Sequence, residues 1–169
     1  MEDINYTLPT QLLRLRELVM ARFRVVLNSA DLTDAKWRVL RILLVNGDLD
    51  FAELSNSSLV LKPSLSRLLS SLEARDLVER RDVEADQRQI EVALTPTGRA
   101  FVLELMPQIN NVYAGLEELL GFDRLSDLTT LTRACISQLE NESEPQPQES
   151  EKTLTAVTLR KGAPHHEGY

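Results

Sequence analysis

One change of period limits the folds open to this chain. Up to about Arg75, and again after Thr95, apolar residues recur every three or four positions. Between these stretches Ile90, Val92 and Leu94 instead alternate with polar neighbours. Spacing of three or four marks an amphipathic helix, and strict alternation marks a half-buried strand. The chain must therefore insert a small antiparallel element into an otherwise helical molecule. LVERRD and QIEVAL read as its two strands, with VEADQR as the turn that makes them a β-hairpin.

Four helices are expected before the hairpin. The first runs from Pro9 to Asn28 on the seam Leu12, Leu15, Val19, Phe23 and Val26. Thr33 caps the second, which carries Trp37, Leu40 and Leu44 and ends at Gly47. Asp50 opens a short third helix, FAELSNSS. Pro63 lies in the first turn of a fourth that runs to about Arg75. After the hairpin, Thr95 and Pro96 start a long fifth helix, which Pro107 should bend but not end. A sixth spans about Arg124 to Leu139. The fold class is mainly α (α+β). The order helix, short helix, helix, hairpin is that of a winged helix-turn-helix with a two-stranded wing, enclosed by long N- and C-terminal helices.

Composition narrows the function classes. A formal net charge of −7 argues against indiscriminate binding to polyanions, though it allows a local basic face. No apolar run reaches the ~18 residues of a membrane span. The acidic start MEDINYTLPT lacks a basic region followed by an apolar stretch, and the single cysteine, Cys135, cannot form an intrachain disulfide. A cytoplasmic protein is expected. Cys135 sits at an apolar helical spacing and is read as a packing residue. Adjacent His165 and His166 without nearby partners make a weak metal site, so no metal and no cofactor are expected. With no phosphate loop and no nucleophile–base pairing, the chain does not read as an enzyme. From Glu140 the sequence turns to NESEPQPQES, polar, acidic and broken by proline, and residues 141–169 are read as a disordered tail.

The fourth helix carries the chemistry. Leu65, Leu68, Leu69 and Leu72 make one apolar face. The opposite face presents Arg67, Ser70 and Ala74, flanked by Ser64, Ser66 and Ser71, with Lys62 at the start. Serine is a poorer helix former than the Glu and Lys usual on solvated faces, and short hydroxyls around an arginine allow close approach to base edges and phosphates. In the hairpin, Arg80, Arg81 and Arg88 could reach the minor groove. They are interleaved with Glu79, Asp82, Glu84, Asp86 and Glu91, so Asp86 could equally pair with an arginine and fix the turn.

These segments resemble the MarR family of transcriptional regulators. The matching stretches are LTDAKWRVLRIL (32–43), AEL (52–54), KPSLSRLLSSLE (62–73), LVERRD (77–82) and DQRQIEVALTPTG (86–98). The likeness covers residues 8–140. It extends to the subgroup that represses aromatic-acid catabolic operons, such as the homoprotocatechuate-operon repressors. The resemblance implies a homodimer that reads a pseudo-palindrome in double-stranded DNA. It divides the chain into a helical dimerisation region, 8–30 and 101–140, and a winged helix-turn-helix DNA-binding domain, 31–100. By position, Ser64, Ser66 and Arg67 match the groove-reading residues, Arg88 the wing-tip arginine, and Asp86 the acid that braces the wing. Lys62, Ser70 and Arg81 complete the expected DNA contacts. The family usually has glycine where this chain has Asp76, at a position that commonly needs a left-handed backbone. Ser55 replaces the usual alanine.

Regulators of this kind bind small aromatic carboxylates or phenols between the dimer helices and the DNA-binding lobe. Candidate ligand residues are Arg16, Phe23, Trp37, Arg38 and Arg41. An arginine in the leucine-rich first helix could grip a carboxylate, form a salt bridge to Glu17 or to the other subunit, or simply face solvent. Trp37 reads as core or as pocket wall. The alternative function is a winged-helix protein-interaction module without DNA binding, which the acidic balance favours.

Overall fold

The computed structural model describes residues 7–83 and 86–143, and the side chains of 82–89 and 143 fall outside what it describes. The tail after 143, with His165 and His166, also lies outside the described residues. The order is α1 (Leu8–Ser29), α2 (Asp34–Asn46), β1 (Leu49–Asp50), α3 (Phe51–Ser58), α4 (Lys62–Glu73), β2 (Val78–Val83), β3 (Asp86–Leu94), α5 (Pro96–Leu120) and α6 (Phe122–Ser143). The chain divides into two compact units that part between Leu119 and Leu120.

Local chemistry sets the element boundaries of the first unit. Thr33 Oγ1 accepts the Lys36 amide at 3.2 Å and caps α2, which ends at Gly47 with φ 80°. Asp50 forms a capping box. Its carboxylate accepts the amides of Ala52 and Glu53, and Glu53 accepts the Asp50 amide in return. Helix α5 runs unbroken through Pro107.

Strand β3 is central in a three-stranded antiparallel sheet of order β1-β3-β2. The expected two-stranded wing is present as the β2–β3 hairpin, and β1 adds a third, two-residue strand to its sheet. Leu49 pairs with Val92 and Asp50 with Glu91, and a strand of two residues shows no period in sequence. The hairpin turn is also tighter than VEADQR, because Asp86, Gln87 and Arg88 already belong to β3, with a register shift at Asp82/Val83. Alternation is incomplete as well: Ile90 is 39% exposed, while both Val92 and Ala93 are buried.

The core gathers Leu40, Leu43, Leu54, Leu65, Leu69, Leu72 and Val92, all essentially inaccessible. Helices α1 and α5 belong to the same unit and bury Phe23, Leu27, Val102, Leu105, Ile109 and Leu116. Burying this much aliphatic surface is the main source of the unit's stability. Arg75 ties three elements together. Its guanidinium donates to the carbonyls of Asp31 (2.8 Å) and Ala30 (3.1 Å) and lies 5.3 Å from the Phe101 ring centre.

Asp76 has the left-handed backbone expected of it, φ 55°, at the joint between α4 and β2. Thr95 bridges this joint to α5. Its hydroxyl donates to the Asp76 carbonyl at 2.5 Å and accepts the Gly98 amide at 2.8 Å, while Thr97 donates to the Asp76 carboxylate. A Cβ on Gly98 would lie 1.8 Å from the Leu77 carbonyl oxygen, so only glycine lets α5 start so close to the sheet.

The second unit is dominated by α6, entered through Gly121 at φ 84°. Its Phe122, Leu131, Ile136 and Leu139 are exposed. Cys135 is exposed too, which corrects its reading as a packing residue. No helix among the described residues is long and apolar enough to cross a membrane.

Candidate nucleic-acid interface and ligand cavity

Helix α4 separates its two faces as its sequence requires. Leu65, Leu69 and Leu72 are buried and Leu68 is half-buried, while Lys62, Pro63, Ser64, Arg67 and Ser70 are exposed. Ser66 and Ser71 are half-buried at the border. Among the described residues neither Lys62 nor Arg67 makes an ion pair, so both charges are available to a partner. The outer face of α4 is thus short, hydroxylated and cationic, suited to approach a polyanion closely.

Arg80 fixes the pose of this helix. Its Nη2 donates to the Ser66 carbonyl at 2.9 Å and the Ser70 hydroxyl at 3.0 Å, and it pairs with Glu73 at 3.3 Å. The Ser70 hydroxyl itself donates to the Ser66 carbonyl. Ser70 therefore already has two local partners. Arg81 points to other acids, pairing with Asp48 at 3.1 Å and with Glu79, and the Glu79 contact holds its guanidinium above its ordinary pKa. The backbone places Arg88 and Asp86 near the tip of β3, and their side chains lie outside the described residues.

A cavity of about 340 Å³ opens between α1, α2 and α5. It lies within the size range of small-molecule sites. All five expected ligand residues line it: Arg16, Phe23, Trp37, Arg38 and Arg41. Trp37 is both core and wall, at 5% exposure. The three arginines differ in what they already hold. Arg16 pairs with Glu17 at 2.5 Å and reaches Asp34 at 3.8 Å. Arg41 donates to the Tyr113 hydroxyl at 3.3 Å, and the half-buried Arg38 has a buried Nε with no partner. Neither of these two makes an ion pair among the described residues. Below them Arg24 forks onto Asp34 (2.9 Å) and Glu17 (2.9 Å), tying α1 to α2. That hydrogen bond keeps the Glu17 carboxyl below its ordinary pKa, so Glu17 stays ionised beside the arginines.

Sequence reasoning missed Asp34 and Tyr113. Tyr113 forms an edge-to-face contact with Phe23, centroids 5.0 Å apart, and closes the cavity from α5. Its signal was present: it lies four residues after Ile109 and three before Leu116, both buried, so it shares their seam. Among the described residues no group of His, Cys, Asp and Glu could hold a metal ion.

Comparison with known proteins points to one family. Residues 30–89 match the model of the MarR family. The chain is 39% identical over 114 residues to the HTH-type transcriptional regulator FarR of Neisseria gonorrhoeae, spanning 68% of this chain and 78% of that protein. It is 31% identical over 145 residues to the homoprotocatechuate degradative operon repressor of Escherichia coli, spanning 86% and 98%. Among solved structures it is similar to NadR in complex with 4-hydroxyphenylacetate, with TM-score 0.69, 34% identity and coverage of 80% and 96%. It is also similar to the repressor CouR bound to a 23-mer DNA duplex, with TM-score 0.74, 26% identity and coverage of 80% and 96%. With this winged helix-turn-helix, and with 31% identity across 98% of the homoprotocatechuate degradative operon repressor, this chain belongs to the MarR family of transcriptional regulators.

Proposed function

We propose that the protein is a cytoplasmic homodimeric repressor that binds a pseudo-palindromic operator and is released by a small aromatic carboxylate or phenol. The observation that carries this reading is the cavity walled by Trp37, Phe23 and Tyr113 and edged by Arg38 and Arg41. Aromatic walls suit a planar ring, and a guanidinium grips a carboxylate in two places. NadR, bound to 4-hydroxyphenylacetate, and the homoprotocatechuate repressor supply the class of effector. The anchoring role falls to Arg38 and Arg41, since Glu17 and Asp34 already neutralise Arg16. Arg16 instead borders the site.

The DNA reading rests on the exposed face of α4. Ser64, Ser66 and Arg67 address the major groove, Lys62 a phosphate, and Arg88 the minor groove from the wing, with Asp86 as its brace. Arg81 and Ser70 contribute less, because their polar groups are already engaged. CouR, bound to duplex DNA, supports the same use of the fold. Exposed Leu12, Leu13 and Leu18 on α1 and Leu131, Ile136 and Leu139 on α6 are the apolar surface a second copy would bury. Residues 8–30 and 101–140 then form the dimerisation region and 31–100 the DNA-binding domain. Two recognition helices would meet half-sites roughly 10 base pairs apart.

Release follows from where the cavity lies. One wall belongs to α1 and α5, the other to α2, which packs on α3 and β3. A ligand that prefers one spacing of these walls shifts the dimer toward it, and only this differential affinity can change DNA binding. Thermal melting of the purified protein with 4-hydroxyphenylacetate and a set of benzoates tests the pocket. A rise in melting temperature that Arg41→Ala abolishes and Arg16→Ala largely keeps is expected. Loss with Arg16→Ala alone would place the carboxylate elsewhere.

A further inference from the structure

At the entrance to α4 the chain departs from local rules twice. Leu59 closes α3 in a left-handed conformation, φ 52° and ψ 36°, where glycine would stand without strain. Leu61 is the N-cap of α4 and makes no side-chain cap, where Ser, Thr, Asp or Asn would satisfy a free amide. Both side chains point to solvent, Leu59 84% and Leu61 80% exposed, although Val60 between them is buried. Together with Ser55, Asn56 and Lys62 they line a shallow groove. Positions that forgo propensity, a cap and burial together are where a function is expected.

The surroundings indicate what meets these leucines. Leu61 precedes Lys62, and the exposed Pro63, Ser64 and Arg67 follow on the outer face of α4. The only acid in α4 is Glu73, which pairs with Arg80 at the far end. An acidic cap at position 61 would have repelled a phosphate backbone, whereas leucine leaves this end cationic and apolar. Duplex DNA offers one apolar group in its major groove, the thymine 5-methyl.

We infer that Leu61, flanked by Leu59, is a specificity-determining residue that packs against a thymine 5-methyl in each half-site. The inference rests on the DNA reading proposed above. It adds to the polar contacts of Ser64, Ser66 and Arg67 an apolar one that discriminates thymine from cytosine without a hydrogen bond.

Exchanging thymine for uracil removes only that methyl. The full chain is used to select duplexes from a random-sequence pool, and the selected duplex is prepared once with thymine and once with uracil throughout. Burying one methyl in each of two half-sites should make the thymine duplex bind about tenfold more tightly. In Leu61→Ala the preference should fall to nearly none. Leu61→Ser, which supplies a cap and so keeps α4 intact, should lose it equally. Changes in groove shape caused by uracil affect all three proteins alike and cancel in the ratio. An unchanged preference in both variants, or none in the parent, overturns this inference but leaves DNA binding standing. Failure to select any duplex overturns the DNA reading and this inference with it.

Discussion

Three residues other than glycine hold a left-handed backbone among those described, and they are not equivalent. At Asp76 the conformation is offset locally, because Thr97 and Thr95 bond its carboxylate and carbonyl. Leu59 has no such compensation, and its side chain lies in solvent. Holding a side chain in this region costs roughly 1–2 kcal/mol, part of which glycine returns as extra unfolded-state entropy. Leu59→Gly should therefore raise the melting temperature by a few degrees at fixed protein concentration. Asp76→Gly should leave it nearly unchanged, since the relief is offset by the lost Thr97 bond. Equal gains in the two melts would mean that the threonine bond contributes nothing. The glycine usual at position 76 pointed to this backbone in advance. Nothing in the sequence singled out Leu59, because a leucine in a polar turn reads as ordinary.

The junction of sheet and fifth helix shows how much of the elements was legible. Thr95, Pro96 and the helical spacing after them announce the start of α5, and the capping bond from the Gly98 amide fulfils it. The reason for Gly98 was hidden, because it depends on the Leu77 carbonyl brought close by folding. Gly98→Ala should destabilise the protein by roughly 1–3 kcal/mol, read as a lower denaturant midpoint, since backbone on both sides resists movement. A midpoint within error of the parent would show that α5 can back away from the sheet freely. Helices α2 and α3 carry their own caps and were readable almost to the residue. Strand β1 was not, for two residues cannot display a period. Arg80 and Arg81 were ambiguous for a related reason. Arg81 has Glu79 two positions away, but its other acid, Asp48, lies 33 positions away and Arg80's acid, Glu73, seven, and only the fold brings these two pairs together.

At the scale of the whole molecule, a chain of net charge −7 places Lys62 and Arg67 on one face of α4 and Arg38 and Arg41 at one cavity, none of them ion-paired among the described residues. The five candidate ligand residues come from the family resemblance, and α1 and α2 bring all of them to one cavity. Tyr113 was missed because it arrives from a third helix late in the chain. In the proposed mechanism the two sites are joined: an aromatic acid held by Arg38 and Arg41 would weaken the grip of α4 on DNA. The most direct test is fluorescence anisotropy of the full chain on a duplex from the promoter beside its gene, with and without saturating 4-hydroxyphenylacetate or a responsive benzoate. Binding should weaken steeply between low and moderate salt, as phosphate contacts require. At fixed salt the ligand should weaken it roughly 5- to 150-fold, and Arg41→Ala should bind the duplex as the parent does but ignore the ligand. DNA binding that no ligand from the melting screen alters, or that Arg41→Ala still releases, would contradict the account.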